Sequence, residues 1–303
     1  MRPFRLATRG SPLALRQTEL VTQALQAAHP SLEVEVVVVR TKGDDSTQPL
    51  DAIGGQGVFV TEVERCLAEG GADAAIHSAK DMTSVMAPHL TLAAVPVRAD
   101  ARDGLVGCRL DALPPGSVVA TGSARRRAQL AHHRPDLSFV DLRGNMDRRV
   151  SKGEDGSVGA VVVAVAAMER LGWTERLSDI LDPLILLPQA GQGAVAVQCR
   201  TEDAEAHAMV APIDHAASHR AVRAERAVLA ALGGSCSLPV AAWGTADGAE
   251  GSLVLHGLVA SGDGRIVIRM TRRGDEPDRL GAAVAAALLD DGGAGELDGF
   301  DRP

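Results

Sequence analysis

Small polar and basic residues occur at two places where an apolar run meets the start of a helix pattern. These are Thr8-Arg9-Gly10-Ser11 and Thr121-Gly122-Ser123-Ala124-Arg125-Arg126. A serine that caps a helix leaves backbone N–H groups available to an anion, and a nearby arginine adds positive charge. Arginines in a first helical turn oppose the helix dipole, so their position at 125 and 126 favours a bound anion. An ordinary cap with a surface arginine explains either segment alone, but the pair predicts an anion-binding cleft.

Two further charged segments follow predicted strands. Leu142-Arg143-Gly144-Asn145 is followed by Arg149 in the next turn, and His77-Ser78-Ala79-Lys80-Asp81 follows another strand. Ligands of α/β sheets bind at the carboxyl ends of strands. A ligand-binding role therefore suits Arg143 better than the alternative, a run of charged residues that is only solvated. Asp81 is the carboxylate best placed for acid–base chemistry or for stabilising a cation. A surface ion pair with the adjacent lysine is the alternative.

The four cysteines are widely spaced and form no CxxC pair, which disfavours a disulfide framework or a cysteine zinc site. Three of them lie in apolar settings typical of a core: Cys66, Cys108 and Cys199. The fourth, Cys236, follows Gly233-Gly234-Ser235, where access and reactivity are expected, although a passive loop thiol is the alternative. His215 and His219 have helical i, i+4 spacing without an obvious third ligand, so we predict no metal site.

The charge distribution indicates the kind of partner. The net charge is −8, but residues 125–149 contain seven arginines and three aspartates and carry +4, so the rest carries −12. Nucleic-acid binders are usually basic over a whole domain, and aromatic residues for base stacking make up only 2% of this chain. We therefore expect a small anionic partner and no nucleic acid. Because arginine outnumbers lysine 28 to three, a compositional bias weakens any argument from arginine number alone.

No segment has the pattern of a membrane or targeting element. The longest apolar stretch, 158–168, has about 11 residues, whereas about 20 are needed to cross a bilayer. The first ten residues contain three arginines and no apolar run of the signal-peptide kind. We expect a soluble cytoplasmic protein with no membrane partner.

Strand and helix patterns alternate along most of the chain, which predicts two α/β units with mainly parallel sheets. The helix at 215–232 is expected to be the longest. Three strands joined by Asp-Gly turns then predict a smaller antiparallel unit, which ends in a helix at 277–289. The predicted strands are 4–7, 33–39, 73–76, 90–95, 105–106, 118–120, 138–141, 158–165, 194–199, 240–244, 253–260 and 265–271.

Six segments resemble the porphobilinogen deaminase (hydroxymethylbilane synthase) family. Each is weak alone, but their joint order and spacing from residue 7 to about 240 are highly specific. They are Ala7-Thr8-Arg9-Gly10-Ser11-Pro12-Leu13-Ala14-Leu15, His77-Ser78-Ala79-Lys80-Asp81, Ser123-Ala124-Arg125-Arg126, Leu142-Arg143-Gly144-Asn145, Gly191-Gln192-Gly193-Ala194, and Ala224-Glu225-Arg226-Ala227 leading to Cys236.

The resemblance implies an α/β fold class. It would comprise two α/β lobes similar to periplasmic binding proteins and, in addition, a smaller α+β C-terminal domain of three antiparallel strands with helices. Domain 1 would comprise 1–98 and 194–213, domain 2 would comprise 99–193, and domain 3 would comprise 214–303 with the loop cysteine. A monomer is the family's expectation.

The resemblance also implies a transferase of porphyrin, tetrapyrrole and haem biosynthesis. Such an enzyme deaminates four porphobilinogen molecules and joins them head to tail on a dipyrromethane primer. Water then releases linear hydroxymethylbilane. The primer would be held by a thioether at Cys236. Asp81 and Arg143 would be catalytic, with Asp81 stabilising the cation formed on deamination.

The family's motifs further imply binding residues, and arginine forks suit the two carboxylates of each pyrrole. Besides Cys236, the dipyrromethane cofactor would be bound by Lys80, Asp81, Thr121, Ser123, Arg125, Arg126, Gly144 and Arg149. Porphobilinogen would be bound by Arg9, Ser11, Arg143, Arg149 and Arg170. No metal is implied.

This chain departs from the family's usual residues at several positions. Gln56 and Ala52 stand where lysines are common, Gly122 replaces a usual serine, and Ser235 replaces a glycine. Because the aspartate and the cysteine are retained, activity with weaker substrate binding is predicted. The alternative is a non-catalytic two-lobed anion-binding protein, which has no need of a third domain with an accessible cysteine.

Overall fold

The computed structural model describes residues 2–40, 60–233, 238–248 and 251–297. Contacts between Cα atoms divide the chain into two units. Unit 1 comprises Met1–Ala99 with Ala194–Val222, and unit 2 comprises Asp100–Gly193 with Arg223–Pro303. The division into three domains stays a prediction.

Thirteen strands form three sheets within the described residues. They are β1 (Phe4–Arg9), β2 (Val34–Val39), β3 (Ala74–Ser78), β4 (Leu90–Ala94), β5 (Asp103–Gly107), β6 (Val118–Ala120), β7 (Ser138–Val140), β8 (Ala160–Ala164), β9 (Asp179–Ile180), β10 (Val195–Arg200), β11 (Val240–Ala246), β12 (Leu253–Ala260) and β13 (Val267–Gly274). The α-helices there are α1 (Pro12–Ala28), α2 (Thr61–Ala68), α3 (Ala124–His133), α4 (Met146–Glu154), α5 (Val165–Leu171), α6 (Ala204–Val210), α7 (Ala216–Ala231) and α8 (Pro277–Ala286).

The sheet of unit 1 has the strand order β2-β1-β3-β10-β4. β1 runs parallel to β2 and β3, whereas β10 runs antiparallel to β3 and β4. One face buries Leu6, Ile76 and Val197 against Val21 and Leu25 of α1. The carboxyl ends of β1 and β3 therefore lie at the same edge of this sheet, as ligand-binding strands of α/β proteins do.

The sheet of unit 2 repeats this arrangement in the order β7-β6-β8-β5-β9. β6 runs parallel to β7 and β8, and β5 runs antiparallel to β8 and β9. Because β5 is antiparallel, its first residue, Asp103, pairs with Ala164 at the carboxyl end of β8. Asp103 thus lies at the edge where the parallel strands end.

The predicted mainly parallel sheets are wrong for the described residues. Each of the two large sheets has two parallel and two antiparallel pairings. The antiparallel strands β5 and β10 follow directly after the chain passes between units, at Asp100 and Ala194. The direction of β5 and β10 in their sheets depends on where the chain crosses from one unit to the other. A hydrophobic run predicts a strand but not its direction.

The third sheet, β11-β12-β13, is antiparallel throughout and belongs to unit 2. Val284 of α8 lies close to Gly257 on one face, where a Cβ would come within 2.4 Å of it. On the other face Ala241 and Leu258 pack with Ala128 of α3. The α/β class with a smaller antiparallel unit is therefore confirmed.

Helix lengths correct two further details. The longest described helix is α1 with 17 residues, since α7 has 16 rather than the predicted 18. The terminal helix predicted at 277–289 ends at Ala286 and continues as a π-helical turn, Ala287–Asp291. No helix in the described ranges is both long and apolar enough to cross a membrane.

Candidate active site

The first predicted anion-binding segment lies at the carboxyl end of β1 in unit 1. Ser11 caps α1, its Oγ accepting a hydrogen bond from the Ala14 N–H at 3.3 Å, and Pro12 begins the helix as predicted. Arg9 is the last residue of β1 and is half-buried. Thr8, completely buried beside it, has no hydrogen-bond partner for its Oγ1 among the described residues.

Lys80 and Asp81 lie at the carboxyl end of β3, next to β1 in the sheet. They belong to the short 3₁₀ helix Ala79–Asp81, which the Ala79 N–H anchors by donating to the Ala194 carbonyl at 3.0 Å. The Asp81 side chain is exposed and accepts no hydrogen bond from another described residue.

A buried contact fixes the end of β3 to α1. The Gln17 side-chain amide, 2% exposed, and the Ser78 hydroxyl hydrogen-bond each other, with Nε2 to Oγ at 2.8 Å. The chain continues from β1 into α1 and from β3 into Lys80-Asp81. This contact therefore fixes the segment after β1 relative to the segment after β3. Unit 1 therefore presents Arg9, Ser11, Lys80 and Asp81 from one edge.

The second predicted anion-binding segment lies at the carboxyl end of β6 in unit 2. Ser123 caps α3, its Oγ accepting from the Arg126 N–H at 3.4 Å, as predicted. The Thr121 hydroxyl, on a residue 1% exposed, accepts from the Ser123 N–H at 3.2 Å. These contacts order the turn that leads into the first helical turn with Arg125 and Arg126.

Asp103, which sequence reasoning did not single out, forms a buried cluster with these two arginines. Its Oδ2 accepts from Arg125 Nη2 at 2.7 Å, and its Oδ1 accepts from Arg126 Nη2 at 2.6 Å. Gln192 Nε2 donates to Asp103 Oδ1 at 3.0 Å and to the Ala101 carbonyl at 2.7 Å. The side chains of Asp103, Arg125 and Arg126 are 0%, 3% and 9% exposed.

The cluster carries more positive than negative charge. Within the described residues, Asp103 is the carboxylate that pairs with both guanidinium groups. Burial opposes ionisation of Asp103, but the two arginines outweigh it and lower the pKa of its carboxyl to about 2. Burial lowers the pKa of the Arg125 guanidinium. Arg125 Nε is buried without a hydrogen-bond partner among the described residues, so the cluster suits one further anion.

The carboxyl end of β7 brings Arg143 and Gly144 to the same edge, because β7 pairs in parallel with β6. Arg143 is exposed, and Asn145 caps α4 with its Oδ1 accepting from the Arg148 N–H at 3.1 Å. Arg149 Nε donates to the Gly144 carbonyl at 2.9 Å. The loop that carries Arg143 and Gly144 is therefore fixed by hydrogen bonds.

Arg170 lies on α5, which follows β8 directly. Its Nη2 donates to the Gly193 carbonyl at 2.7 Å. Burial lowers the pKa of its guanidinium to about 10, and Glu169 opposes this only in part. A bound carboxylate would offset the desolvation that depresses this pKa.

Several sequence predictions fall outside the described residues: Cys236, Ser235, Gln56 and Ala52. Of the other three cysteines, Cys199 is buried in the core of unit 1 as predicted, whereas Cys66 and Cys108 are half-buried and pack against the core from its margin. Burial raises the pKa of the Cys199 thiol to about 12. His219 hydrogen-bonds Asp214 and His215 hydrogen-bonds Ser218, and no metal-binding cluster is found within the described ranges.

The buried Glu225, from one of the quoted motifs, also has structural partners that the sequence did not reveal. Glu225 accepts from the Gly191 N–H at 2.6 Å and from the Gly244 N–H at 2.7 Å. It therefore ties the Gly191-Gln192-Gly193 loop to β11. The adjacent arginines at 125 and 126 were a signal for a counter-ion, but nothing in the sequence pointed to Asp103.

Known proteins were compared with this chain. Two family models match it: "Porphobilinogen deaminase, dipyromethane cofactor binding domain" over residues 4–208 and "Porphobilinogen deaminase, C-terminal domain" over residues 219–290. The porphobilinogen deaminase of Roseiflexus sp. (strain RS-1) is 46% identical over 299 residues, covering 97% of this chain and 98% of the relative. That of Stenotrophomonas maltophilia (strain K279a) is 47% identical over 303 residues, covering 98% and 99%.

Solved structures give fold likenesses at low identity. The VFT2 domain of Bordetella pertussis BvgS (double mutant F375E/Q461E) is 19% identical with a TM-score of 0.42, covering 70% of this chain and 86% of that one. The second substrate binding domain of a putative amino acid ABC transporter from Streptococcus pneumoniae is 13% identical with a TM-score of 0.44, covering 68% and 90%.

The sheets define a mixed α/β fold with two sheet-rich lobes and a small antiparallel sheet. The family matches show that the chain is a transferase. The chain belongs to the porphobilinogen deaminase family. Its activity is the family's, hydroxymethylbilane synthesis, and its cofactor is dipyrromethane.

Proposed function

We propose that the buried cluster of Asp103, Arg125 and Arg126 holds a carboxylate of the dipyrromethane cofactor. The observation that carries this is the imbalance of two buried guanidinium groups with one carboxylate. The cluster also lies in the first turn of α3, where the helix dipole adds positive potential. Burying an uncompensated charge is costly, and a carboxylate from the cofactor would supply the missing negative charge.

Around this cluster, the other residues implied by the family complete the binding groups. Thr121, Ser123 and Gly144 lie in loops at the carboxyl ends of β6 and β7 and offer hydroxyl or backbone groups to the cofactor. Lys80 is a further proposed ligand of the cofactor. Porphobilinogen is bound through its acetate and propionate by Arg9, Ser11, Arg143, Arg149 and Arg170. A paired carboxylate would offset the desolvation that lowers the pKa of the half-buried Arg170.

The cofactor supplies a nucleophilic pyrrole carbon to which substrate units are added. Asp81 is the proposed catalytic carboxylate: its side chain is exposed, and the short helix Ala79–Asp81 holds it at the end of β3. Its negative charge stabilises the cation that forms when ammonia leaves porphobilinogen, and it orients the pyrrole N–H groups. Arg143 assists by fixing the substrate carboxylate at the reacting unit.

Cys236 is proposed as the residue that holds the cofactor by a thioether. It lies outside the described residues, and the support is its position in the motif, just after α7 and Gly233. Intact mass tests this: wild-type protein made in a host that synthesises porphobilinogen should exceed its sequence mass by two linked pyrroles. Cys236→Ser should lack that excess, and the matched control Cys108→Ser should keep it. A wild-type mass equal to the sequence mass would contradict the proposal.

Asp81→Asn tests the catalytic assignment. The fold should be kept, because the side chain is exposed, while kcat falls by about 10²-fold or more. Asp111→Asn, an exposed aspartate of unit 2, is the control and should have normal kcat. Near-normal turnover by Asp81→Asn at full cofactor loading would refute the role.

The family assignment disfavours the alternative of a non-catalytic anion-binding protein. We further infer a cytoplasmic monomer whose partner is porphobilinogen and which binds no nucleic acid. The support is the acidic net charge of −8 and the biosynthetic reaction of the family. Light scattering of the holoenzyme tests the oligomeric state, and a mass twice that of the chain would refute a monomer.

A further inference from the structure

Gly122 lies in the loop between β6 and α3. Its φ lies outside the left-handed region, so its backbone conformation suits any residue. The space around Gly122 does not accommodate a side chain, because a Cβ at this position would lie 2.9 Å from the Leu142 carbonyl oxygen. Ordinary contacts begin at 3.4 Å, so a side chain here requires the Leu142 backbone to move by about 0.5 Å (3.4 − 2.9).

The segment that would have to move is held at several points. The Thr121 N–H donates to the Val140 carbonyl at 2.9 Å, and the Leu142 side chain is 7% exposed in the core under α4. Arg149 Nε donates to the Gly144 carbonyl, and Gly144 itself has a φ of 104°. The atom that would clash with the added Cβ belongs to the backbone and not to the end of a mobile side chain. Relieving the clash is therefore costly, because the packed backbone has to shift.

Arg143 is the residue between these fixed points. We propose that Gly122 is a positioning residue: by letting the Leu142 backbone approach the 121–123 turn, it sets the place of Arg143 relative to the first turn of α3. The inference rests on the proposed role of Arg143 as a substrate carboxylate ligand. A side chain at 122 would require a wider spacing between the loops that follow β6 and β7.

The experiment uses loaded holoenzyme and compares four variants. Gly122→Ala and Gly122→Ser should lower kcat/KM about tenfold, because displacements of half an ångström to one ångström at such groups cost about that much. Gly262→Ala is the open control, since nothing lies within 4 Å of its Cβ position and its φ is ordinary, and its kcat/KM should not change. Gly159→Ala is the crowded control: its Cβ would lie 2.8 Å from Leu113 Cδ2, before the start of β8. It should lower Tm without lowering kcat/KM.

A double-mutant cycle with Arg143→Lys separates positioning from general damage. If Gly122 acts through Arg143, Gly122→Ala should cost less than about twofold in the Arg143→Lys background. An undiminished loss in that background, or wild-type kcat/KM for both Gly122 variants, overturns the inference while leaving the role of Arg143 intact. If Arg143→Lys itself has wild-type kcat/KM, the proposed role of Arg143 fails, and the inference about Gly122 fails with it.

Discussion

Units 1 and 2 each bury one aspartate between two arginines, but they do so at opposite edges of their sheets. In unit 1, Asp73 accepts from Arg2 Nη1 at 2.7 Å and Arg5 Nη2 at 3.0 Å. It directly precedes β3, at the amino end of the parallel strands. In unit 2, Asp103 pairs with Arg125 and Arg126 at the edge where the parallel strands end.

The exposure of the arginines separates the two clusters. The side chains of Arg2 and Arg5 are 65% and 29% exposed, so water solvates the charge that Asp73 does not neutralise. Those of Arg125 and Arg126 are 3% and 9% exposed, so the excess charge stays desolvated. The same residue types therefore form a structural clamp in unit 1 and the proposed anion-binding group in unit 2. Position in the sheet and solvent access decide the role, rather than composition.

The largest expected effect comes from Asp103→Asn. An amide keeps the shape but removes the buried negative charge, which leaves two desolvated guanidinium groups and costs about 3–5 kcal/mol of unfolding free energy. Cofactor loading, read by intact mass, should fall as well because the arginines lose their fixed orientation. Urea unfolding and mass spectrometry of the same preparation give both values. If Asp103→Asn were as stable and as fully loaded as the wild type, the two clusters would not differ in the way proposed.

Asp73→Asn should lower stability less than Asp103→Asn does, and it should leave cofactor loading unchanged. Its arginines can be solvated, so the loss is that of hydrogen bonds to a buried acceptor, about 1–3 kcal/mol. For a chain of this size, Tm should fall by several degrees. Cofactor loading and kcat/KM should stay at wild-type values, because Asp73 lies at the opposite edge of its sheet from Lys80-Asp81. A fall in kcat/KM of tenfold or more in folded Asp73→Asn would remove the distinction.

The local features of both units were predictable from sequence. Ser11 and Ser123 were predicted as caps, and each accepts from an N–H three residues ahead, a contact that depends only on neighbouring residues. β-branched and apolar runs likewise placed twelve of the thirteen described strands to within a few residues and missed the two-residue strand β9. Such features need no knowledge of the rest of the chain.

The long-range features were not predictable. Asp103 is 22 residues from Arg125 and 89 from Gln192 in sequence, and nothing local marks them as partners. Arginines in a first helical turn are compatible with solvent, with substrate or with an internal counter-ion, and only the packing of β5 beside β8 decides. The similar strand orders of the two units were hidden for the same reason, because pairing order is a property of the fold and the sequence shows no repeat.

The smallest expected effect is on the pH dependence of stability, and it tests whether Asp73 acts as a clamp. Burial opposes the ionisation of Asp73, but hydrogen bonds from Arg2 and Arg5 lower the pKa of its carboxyl to about 2, below the ordinary 3.8. A lowered folded-state pKa means that the stabilisation is complete above the ordinary value and is lost as pH falls from about 4 towards 2. Wild-type protein should therefore lose unfolding free energy on going from about pH 6 to about pH 3.5, and Asp73→Asn should lose less over the same range. Urea unfolding at the two pH values measures this, with Glu202→Gln, at an exposed carboxylate, as the control that should follow the wild type. Equal losses in wild type and Asp73→Asn would mean that the arginines of unit 1 do not hold Asp73 ionised, and the clamp would then owe its stability to its neutral hydrogen bonds alone.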